Sequence, residues 1–290
     1  VVGQVAGVEA LAALGAVDFL MWVVTGISTG LTQGFSIQLS QYYGAKDFEN
    51  LRKSLAHSYR LTAFIAAGVL ILSQSFASLV LTGLHTPSNI IGMSLLYLRI
   101  IFCGIPATAA YNMFASALRA MGNSKTPLTA MIIASVLNVS LDILFVAGFG
   151  WGVAGAAIAT VIAQSFSAVY CFLILRRIDI VHLTRADFMP ASGMNARLMK
   201  LGIPVVFQNI IIGVGGLVVQ YVINGYGFLF VAGFTATNKL YGLLEMAAIS
   251  YGYAIVTYVG QNLGAGKIDR IRKGVRSSML LSLLTSLIIS

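Results

Sequence analysis

The chain has 290 residues, 58% of them apolar and 9% charged, with a net charge of +9 and a mean hydropathy of +0.89. A soluble domain carries about 25% charged residues, so an ordinary soluble enzyme or binding domain is excluded. Apolar runs of ~20 residues without period-2 alternation exclude a membrane β-barrel and leave a polytopic bundle of membrane helices, an all-α fold.

Residues 1–9 read as the outer end of a first helix whose remainder lies upstream, and the chain stops inside an apolar run at Ser290; both ends look cut. No signal peptide is visible. Leu11 to Tyr43 is a long run containing Gly26-x-x-x-Gly30-x-x-x-Gly34, a spacing that lets helix backbones approach closely. Asp18, near its outer end, is either wet or linked to an ion. A polar amphipathic connector, Gln41 to Lys53, leads into a helix from Leu51 to Leu81. The loop Thr82–Asn89 has no Lys or Arg. The next helix, Ile90 to Met121, carries Pro106, which frees a carbonyl and can kink it. After the turn Gly122–Pro127 come Leu128–Phe149 and Val153–Leu175, two arms joined by Gly148-Phe-Gly-Trp-Gly152. Arg176 to Arg197 is charged and polar and divides the chain into an N-terminal lobe, 1–190, and the start of a second, 191–290. Leu198–Asn224, Phe228–Leu263 and a segment opening at Ile271 follow.

Sixteen of the eighteen basic residues fall on one side of this alternation, Arg99 and Lys239 being the exceptions. By the positive-inside rule that side is cytoplasmic, in a multi-pass protein of the cell (plasma or inner) membrane. The excess charge is then topology and contact with lipid heads, which excludes a nucleic-acid surface. Cys103 and Cys171 lie in apolar runs and read as small packing residues, and His57, His85 and His182 lack metal-ligand spacing.

The hairpin carries the chemistry. Asp142 lies one helical turn after Asn138, inside an apolar arm. Burying an unpaired acid costs ~2.5–3.5 kcal/mol on insertion scales, and intramembrane acids by default bind an ion or a proton. At ~1.5 Å per residue, Asp142 and Thr160 of the returning arm sit roughly 11 and 15 Å below the turn, so Asn138, Asp142 and Thr160 reach similar depth. A carboxylate, an amide oxygen and a hydroxyl suit a proton or a small hard cation such as Na⁺. The alternative is a protonated Asp142 that only bridges helices. Glu245, with Tyr241 one turn before it, attracts a cationic substrate, carries a proton or is a neutral, hydrogen-bonded packing residue. Tyr111, Asn112, Gln164 and Gln208 are further candidates for a wet substrate cavity, as are Gln33, Gln38, Asn209 and Gln220; each alone also reads as an interhelical hydrogen bond.

Residues 41–55 (QYYGAKDFENLRKSL) and 261–275 (QNLGAGKIDRIRKGV) align without a gap. The two copies share orientation, which points to two lobes related by an axis along the membrane normal. Doubling the offset gives a complete protein of roughly 440 residues.

These residues together resemble the multidrug and toxic compound extrusion (MATE) family. The carriers are Gln41-Tyr-Tyr-Gly-Ala45, Ala117-Leu-Arg-Ala-Met-Gly-Asn-Ser-Lys-Thr-Pro127, Asn138-x-x-x-Asp142, Gly150-Trp-Gly-Val-Ala-Gly-Ala-Ala157 with Thr160, Leu201-Gly-Ile-Pro204 and Val259-Gly-Gln-Asn-Leu-Gly-Ala265. The resemblance implies twelve helices in two six-helix lobes around a central cavity, with export of organic cations coupled to entry of Na⁺ or H⁺. In the branch resembling the DNA-damage-inducible F proteins, the cation site takes Asn and Asp one turn apart, a Thr on the next helix and an Asp on the first. Asn138, Asp142 and Thr160 match the first three by residue and spacing, and the fourth would fall on the first helix, of which this sequence holds only the outer end. The NorM-like branch places an acid in the helix after the lobe boundary, where Leu198–Asn224 has none.

The expected function is therefore a secondary antiporter for amphipathic organic cations, working by alternating access of two lobes. No cofactor beyond the coupling ion is expected, and the expected partners are small cationic molecules and the bilayer, for a monomer. The alternative is a flippase for lipid-linked saccharides of the same superfamily, which would need basic residues such as Arg99 and Lys239 facing one cavity. An intramembrane enzyme is disfavoured, because no paired catalytic Asp, His cluster or G-x-S-x-G motif is present.

Overall fold

The computed structural model describes residues 2–5, 7–15, 17–83, 90–224 and 249–289, with residues 86, 88, 237 and 242. Glu245, Tyr241, Lys239 and His85 lie outside the described residues, as does the side chain of Gln220. Every regular element among the described residues is helical: α1 (Val2–Val5), α2 (Val8–Gly15), α3 (Asp18–Gly44), α4 (Phe48–Gly83), α5 (Ile91–Cys103), α6 (Ile105–Ala120), α7 (Lys125–Asp142), α8 (Gly152–Arg176), α9 (Met194–Asn224), α10 (249–264) and α11 (Ile268–Ile289). α4, residues 125–148, α8 and Met194–Gly216 of α9 are each long and apolar enough to cross a membrane, and the α5–α6 pair makes a fifth span bent by 46°.

Three expected boundaries move. The run from Leu11 is divided between α2 and α3, where the Val17 N–H turns back to the Leu14 carbonyl at 3.2 Å. Asp18 then occupies the first turn of α3, exposed, where a negative charge suits the helix dipole. The polar connector shrinks to a turn at 45–47, because α4 already begins at Phe48. The helix expected over 90–121 breaks at Gly104. Pro106, in the first turn of α6, has no N–H to bond the Phe102 carbonyl, and a side chain at Gly104 would press on Val161 of α8.

α3 and α9 meet backbone to backbone along the glycine ladder. A Cβ on Gly30 would lie 2.9 Å from the Val206 backbone, and one on Gly34 would overlap Gly202. Asn209 Nδ2 donates to the Gly26 carbonyl at 3.1 Å, at the next step of the same ladder. Small residues at this spacing let apolar helices associate closely in lipid, where no hydrophobic drive holds them together. Two apolar cores flank the ladder, one around Leu81, Leu98, Phe102, Val146 and Val153, the other around Phe35, Leu39, Leu55, Met113, Leu118 and Leu198. Outward-facing Phe64, Ile71, Leu79, Ile132 and Val136 remain exposed, as expected of a surface solvated by lipid tails.

The stretch between α8 and α9 carries only two short 3₁₀ turns, Asp179–Val181 and Arg185–Phe188. It docks on the first half of α4. Asp187, 5% exposed, accepts from the Thr184 N–H and hydroxyl and faces Arg52 Nε at 3.8 Å. His57 lies 2.7 Å from Asn195 Oδ1 and 3.1 Å from the Met189 carbonyl, while Arg60 Nη1 donates to the Phe188 carbonyl at 3.0 Å. His57 is thus a buried fastening for the connector. Cys171 is buried, but Cys103 is exposed, with its sulfur accepting from Gln74 Nε2 at 3.3 Å; only the first is the packing residue expected.

Candidate functional site

The expected arm Leu128–Phe149 is two structures. α7 ends at Asp142, and the backbone widens into a π-helical turn over Ile143–Gly148. A π-turn inserts a residue into the helical ladder, frequently beside functional groups. Its last residues bond the connection shut, with Phe149 N–H on the Leu144 carbonyl and Trp151 N–H on the Phe145 carbonyl, both at 2.9 Å. Phe145, Phe149 and Trp151 pack ring on ring with centroids 5.1–5.9 Å apart. Gly150, at φ 69°, supplies the left-handed residue of the turn.

Within the hairpin, Asn138 Nδ2 donates to Thr160 Oγ1 at 3.4 Å, and the Thr160 hydroxyl donates to the Ala156 carbonyl at 2.9 Å. The Asn138 amide oxygen and a Thr160 lone pair are left to accept. Asp142 is half-buried, one turn toward the connection, and its Oδ1 is buried with no hydrogen-bond partner; Gln164 Oε1 is in the same condition. A cavity of about 210 Å³ is lined by Asn138, Thr160, Gln164, Tyr111, Ser135 and Ser167, among others. The chain folds this way because Ser135 and Asn138 share one face of α7, while Thr160, Gln164 and Ser167 share one face of α8. That stripe was readable in the spacing, yet Ser135 and Ser167 were missed, since a serine in an apolar helix more often bonds its own backbone. Asp142 itself lines none of the described cavities and stands one turn from the Asn138–Thr160 pair. A carboxylate oxygen without a donor, an amide oxygen and a hydroxyl are chemically suited to a proton or a small hard cation.

The other expected cavity residues separate. Tyr111 and Gln164 join the hairpin cavity. Gln208 lines a second cavity of about 340 Å³ between α3, α9 and α10, with Thr25, Thr29, Gln33, Asn209 and Tyr253. Asn112 stands behind that wall, donating to Thr29 Oγ1 at 3.1 Å. Gln38 is in no described cavity; its Nε2 reaches Met194 Sδ at 3.0 Å, so it packs the core. A third cavity, about 710 Å³ and mainly apolar, shares Tyr111 with the first and Tyr253 with the second, so the three adjoin. Arg99 is exposed and lines none of these described cavities, so the arrangement required of a flippase is not found there. No group of His, Cys, Asp and Glu able to hold a metal occurs among the described residues.

With this geometry in hand, comparison with known proteins is decisive on one point. The sequence pattern of the MatE family matches residues 1–144 and 204–290. The chain belongs to the MatE family. Among its relatives, the probable multidrug resistance protein YpnP of Bacillus subtilis (strain 168) is 31% identical over 270 residues, covering 93% of this chain and 60% of that protein. The probable multidrug resistance protein YoeA of the same organism is 28% identical over 289 residues, covering 97% and 62%. The outward-facing structure of a multidrug resistance MATE family transporter of the MOP superfamily superposes with a TM-score of 0.92 at 21% identity, covering 99% of this chain and 64% of that one. The chain therefore spans less than two thirds of the length of these relatives. MatE proteins are membrane transporters and not enzymes, and this chain is a multi-pass, all-helical member.

Proposed function

We propose that the full-length protein is a secondary antiporter that exports amphipathic organic cations in exchange for H⁺ or Na⁺. The observation that carries this reading is Asp142, a carboxylate in an apolar hairpin whose Oδ1 no protein group satisfies, one turn from the Asn138–Thr160 pair. An ion or proton arriving there removes the cost of a desolvated charge. Neutralised, Asp142 lets the hairpin tighten, and the bound ion favours one arrangement of two lobes, 1–190 and the part beginning at 191, by its difference in affinity for the two. Asn138 and Thr160 supply neutral oxygens. The cavity between α3, α9 and α10, with Thr25, Thr29, Gln33 and Gln208 on its wall, receives the substrate. The basic end faces the cytoplasm, in a monomer of the cell membrane.

The test is ethidium efflux from cells carrying the full-length gene, under an imposed pH gradient and, separately, an imposed Na⁺ gradient. Wild type is expected to respond to one gradient, which names the ion. Asp142→Asn should lose the response while keeping its thermal midpoint. Undiminished efflux in that variant would remove Asp142 from coupling, and no efflux under either gradient with the protein in the membrane would remove the antiporter.

A further inference from the structure

The two copies of the repeat meet each other. A Cβ on Gly44, at the end of α3, would overlap the carbonyl of Gln261, and one on Gly264, at the end of α10, would overlap the carbonyl of Gln41. The contact is reciprocal, since Gln41 and Gly44 are the repeat equivalents of Gln261 and Gly264. Gln261 Nε2 also donates to the Ala120 carbonyl at 2.8 Å, which ties α10 to the end of α6. Behind this seam lies the cavity of about 710 Å³, walled by α6, the turn after it and the start of α7 on one side and by α10 on the other.

Arg119 stands in its wall. The guanidinium donates to Ser116 Oγ at 3.1 Å and lies 5.1 Å from the centre of the Tyr253 ring. Neither the Arg52–Asp187 nor the Lys53–Glu49 ion pair involves Arg119, and no described Asp or Glu lines the cavity. A guanidinium carries five N–H donors in a planar fork that matches a phosphate or carboxylate. Removed from water without a counter-ion, such a charge is costly. Around it the wall is aromatic and apolar, with Tyr111, Tyr258, Leu128 and Met131. Leu128 and Met131 are 51% and 48% exposed, so the cavity continues onto the apolar flank of α7.

We propose that this cavity binds an amphiphilic oxyanion, a phosphate diester or carboxylate head on an apolar body, with Arg119 as its counter-ion. The head takes the free edge of the guanidinium, and the body runs over the tyrosines toward Leu128 and Met131. Because its wall comes from α6 and α7 on one side and α10 on the other, the bound amphiphile fastens α10 to α6 and holds the basic end shut. A cation is disfavoured here, since Arg119 already occupies the Tyr253 ring face. The proposal does not depend on which ion drives transport.

The experiment uses the full-length protein in nanodiscs of phosphatidylcholine alone or with phosphatidylglycerol, with lipid retention read by native mass spectrometry and backbone exchange of residues 250–262 followed by hydrogen–deuterium exchange. 2-Naphthoate and inorganic phosphate are titrated in the phosphatidylcholine discs. Wild type should retain phosphatidylglycerol and slow its exchange in 250–262. Arg119→Gln should lower retention about tenfold with an unchanged thermal midpoint, and Arg119→Lys should lower it several-fold, because an ammonium lacks the planar fork. Arg119-dependent binding of phosphatidylglycerol identifies a lipid head as the occupant, and Arg119-dependent binding of naphthoate alone identifies a soluble amphiphile. Binding of inorganic phosphate alone overturns the amphiphile. Amphiphile binding equal in wild type and folded Arg119→Gln overturns the site; should Arg119→Gln not fold, equal binding in Arg119→Lys does the same.

Discussion

The α3–α9 contact and the α7–α8 hairpin are both pairs of neighbouring helices inside one bundle, and they treat polar groups in opposite ways. Along the glycine ladder of α3 and α9 the backbones touch at Gly30 and Gly34, and the polar groups beside it are bonded: Asn209 on the Gly26 carbonyl, Asn112 on Thr29, Thr32 on the Ser28 carbonyl at 3.0 Å, with Gln38 Oε1 further along α3 left as a buried acceptor without a partner. Along α7 and α8 the helices part around a cavity, and Asp142 Oδ1 and Gln164 Oε1 are left without partners. Leaving a buried acceptor unsatisfied costs about 1–3 kcal/mol, so a pair of helices evolved only for stability has no reason to keep two. The first interface is built to hold, and the second retains capacity to bind.

The sharpest way to break this contrast is Asp142→Asn. It replaces a binding group without changing size, and gradient-driven efflux should fall to background while the thermal midpoint holds. The same change in a merely structural bridge would lower the midpoint and leave efflux in proportion to folded protein. Next in size is Gly34→Ala. Its Cβ would meet the Gly202 backbone, which cannot swing aside, so the helices must separate, at a cost of about 1–3 kcal/mol typical of overpacking. Unfolding of the full-length protein in detergent should show that loss. Gly68→Ala in α4, where nothing lies within 4 Å of the new carbon, should show none and instead gain up to about 1 kcal/mol of helix propensity. Equal effects at the two glycines would mean that the ladder is not a contact.

Much of this was legible in the sequence, and unevenly. Helix identity followed from apolar length, and Gly26, Gly30 and Gly34 announced a close contact because glycine at that spacing has few other uses in an apolar helix. Asn138, Asp142 and Thr160 stood out because polar groups are rare there; counting residues from the turn put all three at similar depth, and the hydrogen bond in the structure joins Asn138 to Thr160, with Asp142 one turn away. The π-turn after Asp142 left no trace, since it is a choice of hydrogen-bond register and not of composition. The break at Gly104 was displaced from its signal at Pro106, because proline disrupts the preceding turn. Arg119 was read only as topology: its aromatic partner Tyr253 is far away in sequence, and charge counting does not reveal which arginine faces a cavity. The partner of the glycine ladder, α9, was equally invisible, as nothing local in Leu201–Asn209 says what it touches.

Gln164→Leu refines the hairpin side of the contrast. It removes an acceptor that has no donor and keeps similar bulk, so folding should be unchanged or slightly improved. Gln164 lies one turn beyond Thr160, away from Asp142, on the wall of the hairpin cavity, so half-saturation by the driving ion should hold while the substrate concentration for half-maximal efflux rises several-fold. A variant that unfolds earlier, with its substrate dependence untouched, would show Gln164 to be a packing residue.

The smallest expected effect is Asn209→Ala, on the other side of the contrast. The bond it removes runs to the Gly26 carbonyl, which as a helical carbonyl also has its own backbone donor, so no orphan is left behind. Interhelical hydrogen bonds in membrane proteins average about 0.6 kcal/mol, and a loss of that order is expected. Asn209 also lines the cavity shared with Gln208 and Tyr253. Any transport change should therefore appear as a shift in the substrate concentration for half-maximal efflux, not in the response to the driving ion. If Asn209→Ala altered the ion dependence instead, the α3–α9 interface would belong to the coupling machinery, and holding and binding would not be divided between the two helix pairs.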